Sequence, residues 1–217
     1  MKKIACVLIS LFAGSANAGV IIGAQSVDAS IPDLNTNYAL EELINQDGLS
    51  ANYVSGVTNF NSFTSTTTHQ NASSSTGGGW ASSTGNTFPA NIDFDLGARF
   101  SITSLALWND VDTQSLGNFE VFASLDNSFT SLTSLGSFLG SVAIANTSFA
   151  EVFDLTNSLT QFIRVVGSPI QQNNGLLNIG EIAFEGQETQ NVPEPATLAL
   201  LGLGMAGLGF SRKKKTT

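Results

Sequence analysis

The side chains able to do chemistry in this sequence are mostly carboxylates, with little to partner them. The single histidine, His69, stands in a Thr/Ser-rich stretch and is read as solvated surface, and the single cysteine, Cys6, lies close to the start of the chain. A zinc centre needs more nitrogen or sulfur ligands than these, and a Ser-His-Asp triad would rest on His69 alone. Paired acids of the kind that hydrolyse glycosidic bonds would have to come from Asp110, Asp112 or Glu120. Acids bordering strands are ordinarily solvated, so no enzyme activity is expected.

The side chains suited to binding are different ones. Trp80 offers an indole that could stack on a sugar. Asn109, Asp110, Gln114, Asn173 and Asn174, with Gln171 and Gln172, carry groups that hydrogen-bond hydroxyls. Trp108 follows an alternating apolar run and is assigned to the core; Trp80, after Gly77-Gly78-Gly79, fits either environment. Between residues 19 and 190 only Arg99 and Arg164 are cationic, and both are expected to pair with local carboxylates.

The formal charge is −9, and most of the basic residues sit at the two ends. A body this acidic repels phosphate backbones, which excludes nucleic acid as a partner. With Cys6 in a segment expected to be removed, the mature chain would have no thiol. A disulfide scaffold and thiolate metal sites are therefore excluded.

Residues 1–18 run from Lys2-Lys3 through an apolar stretch, Ile4 to Phe12, to the small residues Ala16-Asn17-Ala18. This is the three-part design of a secretory signal, with cleavage expected after Ala18. The other end, residues 191–217, reads Asn191-Val192-Pro193-Glu194-Pro195, then a Gly/Leu-rich apolar segment from Ala196 to Phe210, then Arg212-Lys213-Lys214-Lys215. The two prolines hold Glu194 in an extended segment that cannot join a helix or a sheet ladder. The apolar segment is helix-capable and membrane-seeking, and the lysines favour the cytoplasmic side. This tail resembles the PEP-CTERM sorting signal. The resemblance implies a Gram-negative bacterium whose exosortase and export machinery recognise Pro193, Glu194 and Pro195. It also implies transient or retained inner-membrane association through a C-terminal transmembrane helix, on the way to the cell surface or the exopolysaccharide matrix.

The elements between the ends are short, with period-two alternation, and turn formers punctuate them. Ile92, Phe94 and Leu96 alternate with Asp93 and Asp95, Leu105 and Leu107 with Ala106, and Phe119 and Val121 with Glu120. Phe149 and Phe153 are likewise grouped on one face, as are Ile182 and Phe184. Turns are expected at Leu96-Gly97, Asp126-Asn127-Ser128, Asn173-Asn174-Gly175 and Glu185-Gly186. One short helix is expected over Asn37 to Ile44, and residues 55–88 read as a polar, partly irregular excursion. The fold expected for residues 19–190 is an all-β sandwich or barrel.

Within that body, Ile92-Asp93-Phe94-Asp95-Leu96-Gly97, Phe119 to Asp126, Phe162-Ile163-Arg164-Val165 and Ile179 to Phe184 resemble strands of a discoidin, or coagulation-factor type C, domain. The resemblance implies a galactose-binding-like jelly roll that binds carbohydrate or another surface ligand through loops at one end. It also implies a structural Ca²⁺ between the Asp47-Gly48 loop and Glu181; the alternative is a plain turn beside a strand-end acid. The expected function is that of an exported module binding polysaccharide. The alternative is a structural or adhesive matrix protein with no defined ligand site.

Overall fold

A computed structural model describes residues 19–70, 78–142, 147–172 and 174–188. The secretory signal and the sorting tail expected at the two ends lie outside the described residues. Among the described residues ten strands form: β1 (Val20–Ile22), β2 (Ser26–Ala29), β3 (Thr68–Gln70), β4 (Trp80–Ala81), β5 (Ala90–Asn109), β6 (Leu116–Ser124), β7 (Thr133–Leu139), β8 (Thr147–Phe149), β9 (Glu151–Pro169) and β10 (Asn178–Glu188). The main sheet is antiparallel in the order β1-β10-β5-β9-β6-β7, with β2 on β5 and β4 on β10, while β3 and β8 pair separately.

Two long strands turn this one sheet into a sandwich. β5 has 20 residues and β9 has 19, paired along most of their length. Phe94 and Leu105 lie eleven positions apart on β5, roughly 36 Å if the strand ran straight. Phe184, which pairs with Leu105, nevertheless has its ring 5.5 Å from that of Phe94. The strand must therefore bend back, and it does so where the register shifts between Asp95 and Phe100. Gly97 takes φ +77° there, and its N–H donates to the Asp95 carboxylate at 2.7 Å. Such a conformation suits glycine and increases local bending. One half-sheet thus contains β2, the start of β5, the end of β9, β6 and β7, and the other contains β1, β10, the end of β5 and the start of β9.

Between the halves lies the main core, including Ile92, Phe94, Leu96, Leu105, Leu107, Phe119, Val121, Ile163, Ile182 and Phe184. The expected alternation in β5, β6 and β10 is what the structure shows. A second apolar cluster lies on the outside of the β1/β10 half. There Ala106 and Ala183 pair across the strands, small enough for residues 53–63 to pack down on them. Tyr53, Phe60 and Phe63 cover Trp108, whose indole N–H donates to the Thr67 carbonyl at 3.0 Å. The early part of the excursion read as partly irregular is therefore a cap with its own short helix, α1 (Phe60–Thr64), N-capped by Asn59. Replacing Phe63 with alanine should cost about 3 kcal/mol and shift Trp108 emission to the red. Denaturant titration followed by fluorescence checks this, and an unchanged midpoint would show that the cap does not stabilise the sheet.

Three local expectations differ from the structure. Asn37 to Ile44 holds two 3-10 turns, Thr36–Tyr38 and Leu40–Leu43, separated by the extended Ala39. The extended Ala39 breaks the run, and the tighter turn after it suffices to bury Leu43. Phe149 and Phe153 do not share a face: Phe149 ends β8 and is 61% exposed, whereas Phe153 on β9 packs against Phe119. Glu185-Gly186 is no turn, because β10 continues through it with a register shift. Among the described residues no helix is long and apolar enough to cross a membrane, and the tail helix expected over Ala196 to Phe210 lies outside them.

Candidate functional site

The end of β5 and the loops beside it gather several of the polar residues singled out in the sequence. Asn109 is buried and acts as a strut: its amide donates to the carbonyls of Leu116 and Ser141 at 2.8 and 3.0 Å, and its oxygen accepts the Leu116 N–H. Asp110 is buried too, its carboxylate taking the Val111 N–H and its carbonyl the Ser115 hydroxyl. The Gln114 amide, with its nitrogen turned inward, donates to the Asp112 carboxylate at 2.6 Å. Asp112 also accepts from Asn178, whose N–H bonds the Gln114 carbonyl. Asn109 thus ties β5 to Leu116 and Ser141, Asp110 closes the loop that follows it, and Asp112 with Gln114 joins that loop to Asn178. Asn174 is exposed at that rim, with its carbonyl taking the Gly85 N–H, and Asn173 lies outside the described residues.

Trp80 is not on this rim as a stacking face. It is fully buried at 0% exposure, and its indole N–H donates to Asp33 at 2.8 Å, so neither ring face is open to a sugar. A two-residue strand against β10 draws it into the core.

A second constellation joins the Asp47-Gly48 loop to β10. Glu181 is fully buried, its carboxylate accepting the Gln46 N–H at 3.2 Å and the Tyr53 hydroxyl at 3.4 Å. Burial pushes this carboxyl well above the usual carboxylate range; the Gln46 and Tyr53 hydrogen bonds pull it down, and the charges of Glu42 and Asp47 raise it further. Burial, reinforced by the Glu181 charge, likewise raises the Tyr53 hydroxyl. Glu42 turns one carboxylate oxygen into the protein, where it has no hydrogen-bond partner.

His69 belongs to this neighbourhood and is not the solvated residue expected: it is 1% exposed. Its ring lies between Gly48, at φ +87°, and Gly180, where an added Cβ would stand 2.8 and 2.7 Å from ring atoms. Nε2 lies 3.1 Å from the Asp47 carbonyl, and Nδ1 meets the Gln70 carbonyl. Burial lowers its pKa against the opposing pull of those carbonyls. His69 thereby fixes the shape of the Asp47-Gly48 loop. The sequence gives no sign of this, because His69 and Gly180 are brought together only by β3 packing near β10.

The donors around Glu181 are hard oxygens, the kind that calcium takes. Glu42, Asp47 and Glu181 share one electrostatic neighbourhood, and the orphaned Glu42 oxygen is a buried acceptor without a donor. No three His, Cys, Asp or Glu side chains among the described residues are grouped closely enough to hold an ion by themselves. An ion would have to complete its shell from loop carbonyls, a common calcium arrangement. The residues fit the ion in chemistry, with Glu42 added to the pair read from sequence.

Comparison with known proteins bears on both ends of this description. Residues 191–213 match the model of the PEP-CTERM protein-sorting motif. No curated protein matches the chain. Among solved structures, the C-terminal domain of a chitobiase from Bacteroides fragilis superposes with a TM-score of 0.50 at 16% identity, over 80% of this chain and 97% of that one. A truncated AlyQ with CBM32 and alginate lyase domains gives 0.50 at 20% identity, over 83% of this chain and 37% of that one, so the match spans little more than a third of AlyQ. The chain thus joins a β-sandwich with the fold of CBM32 and discoidin-like modules to a PEP-CTERM protein-sorting motif at its C-terminal end.

Proposed function

We propose that this is an exported, non-catalytic protein of a Gram-negative bacterium, processed by an exosortase and delivered to the cell surface or extracellular matrix, where its sandwich binds exopolysaccharide. The observation that carries this reading is the coupling of a sorting motif to this sandwich in one chain. The similar structures named above come from carbohydrate-active proteins, a chitobiase and an alginate lyase with its CBM32, which supports the sugar as ligand class. The single histidine is buried as a loop strut, which speaks against a Ser-His-Asp triad. Calcium, held by Glu181, Asp47 and Glu42 with loop carbonyls, would fix the Asp47-Gly48 loop against β10.

The test is retention of the purified exported protein on immobilised polysaccharides, including the matrix polymer of the producing strain. Retention on at least one polymer, with no sugar released on prolonged incubation, is the expected result. Failure to bind any polymer would leave a structural matrix protein, and released oligosaccharide would make it an enzyme.

A further inference from the structure

We propose that the outward face of the β2/β5/β9/β6 half-sheet, centred on Phe129 and Phe162, is a binding site for one ring of a glycan that carries no acid groups. This rests on the carbohydrate reading and gives it a place and a ligand class distinct from the loop rim.

The strand register sets out the face. One row across it runs Ser26, Asp95, Phe162, Ser124, and the next runs Asp28, Asp93, Arg164, Phe122. Their neighbours along each strand, Phe94, Ile163, Val165, Val121 and Ala123, are buried in the core, so these two rows point outward. A solvent-facing side of an antiparallel sheet is normally polar. Here it carries Phe122 and Phe162, and a loop brings a third aromatic, Phe129, over it.

That loop is built to hold its ring. The Asp126 carboxylate accepts the N–H groups of Ser128 and Thr130 at 3.1 and 3.3 Å and the Thr130 hydroxyl at 3.1 Å. Phe129 sits at φ +51°, a region bulky side chains rarely occupy and one that costs energy to hold. It belongs to neither apolar cluster, so core packing does not account for it. Instead its ring lies 4.1 Å over the Arg164 guanidinium and edge-on to Phe162, with centroids 6.2 Å apart. Arg164 is in turn fixed by a two-pronged pair to Asp93, both contacts 2.7 Å.

Beside these rings is a depression of about 290 Å³, lined by Asp28, Asp93, Asp95, Asn127, Phe129 and Phe162. That lies near the small end of ligand pockets, which begin at about 300 Å³. Aromatic side chains provide an apolar platform for the C–H face of a sugar. The carboxylates provide acceptors for hydroxyl or amine hydrogens. Asp93 neutralises Arg164, which leaves Asp28 and Asp95 as net negative charge. A uronate would meet repulsion here, while a neutral hexose or an amine-bearing hexosamine would not.

The experiment measures binding of the purified full-length protein, in mild detergent, to a neutral glucan, to chitosan oligosaccharides and to alginate, with melting curves recorded for each variant. The wild type should bind the glucan or the chitosan oligosaccharide at least tenfold more tightly than alginate. Phe129→Ala should weaken that binding at least tenfold, and Asp28→Asn with Asp95→Asn should narrow the discrimination against alginate. Should Phe129→Ala fail to fold, Phe129→Leu, which keeps an apolar side chain and removes the aromatic face, carries the same expectation. Full-strength binding by folded Phe129 variants would overturn the site and spare the carbohydrate reading. Preference for alginate would overturn the ligand class, and no binding by the wild type to any of the three would overturn site and class together.

Discussion

With Pro193, Glu194 and Pro195 all replaced by alanine, the protein should accumulate in the inner membrane with its tail attached, while the wild type is carried outward. The effect is expected to be nearly all-or-none, because the order of parts sets the position of the motif. Lys213, Lys214 and Lys215 should keep the extreme C-terminus on the cytoplasmic side. The Gly/Leu segment should then hold the chain in the bilayer, and Pro193-Glu194-Pro195 should come to the outer membrane-water boundary, where a membrane-embedded processing enzyme could grip it. Alanines in those three positions would let the extended segment turn helical and would remove the recognition carboxylate. The apolar segment and the basic stop are unchanged, so the variant should still anchor. Fractionation in an exosortase-bearing strain reads the outcome, and equal surface delivery of both forms would reduce the tail to an anchor.

The strands were legible wherever burial on one face imposes a period of two, as at Ile92-Phe94-Leu96 and Ile182-Phe184. The tail was legible because a sorting motif is a linear signal that needs no fold to display it. Long-range pairing left little trace. His69 looks solvated from its Thr/Ser neighbours, yet the packing of β3 near β10 buries it against Gly180. Trp80 follows three glycines and forms a strand too short for any periodicity, so its burial against Asp33 depends wholly on distant contacts. Glu42 lies within the span expected to be a helix, where nothing marks it out, yet in the fold it turns an oxygen inward near Glu181. Asn109 and Asp110, read as groups for sugar hydroxyls, are buried and bonded to backbone, since polar type alone does not reveal whether a side chain binds a sugar or its own backbone. The Phe129–Arg164–Phe162 stack joins a loop to a strand more than thirty residues away, and only the register reveals it.

Calcium should reverse the direction in which stability depends on pH through Glu181. In the metal-free protein this carboxyl has a folded pKa raised above the ordinary value of 4.5. Its stabilising contribution is therefore complete below about pH 4.5 and lost as pH rises through the folded value, because the unfolded chain ionises more readily. Glu181→Gln should melt with the wild type at pH 4.5 and above it at pH 8 when both are measured in chelator. Comparing the two proteins isolates Glu181 from His69, whose lowered pKa acts the other way and removes stability as pH falls below 6.5. An ion bound to the ionised carboxylate inverts the order: with calcium at about a hundred times its dissociation constant, the folded wild type gains about 2.7 kcal/mol. That gain should grow with pH and be absent from Glu181→Gln. Asp47→Ala and Glu42→Gln should each reduce it, Glu42→Gln being the variant that tests the carboxylate oxygen left without a donor. Identical melts of the wild type with calcium and with chelator at pH 8 would remove the ion from the Asp47-Gly48 loop.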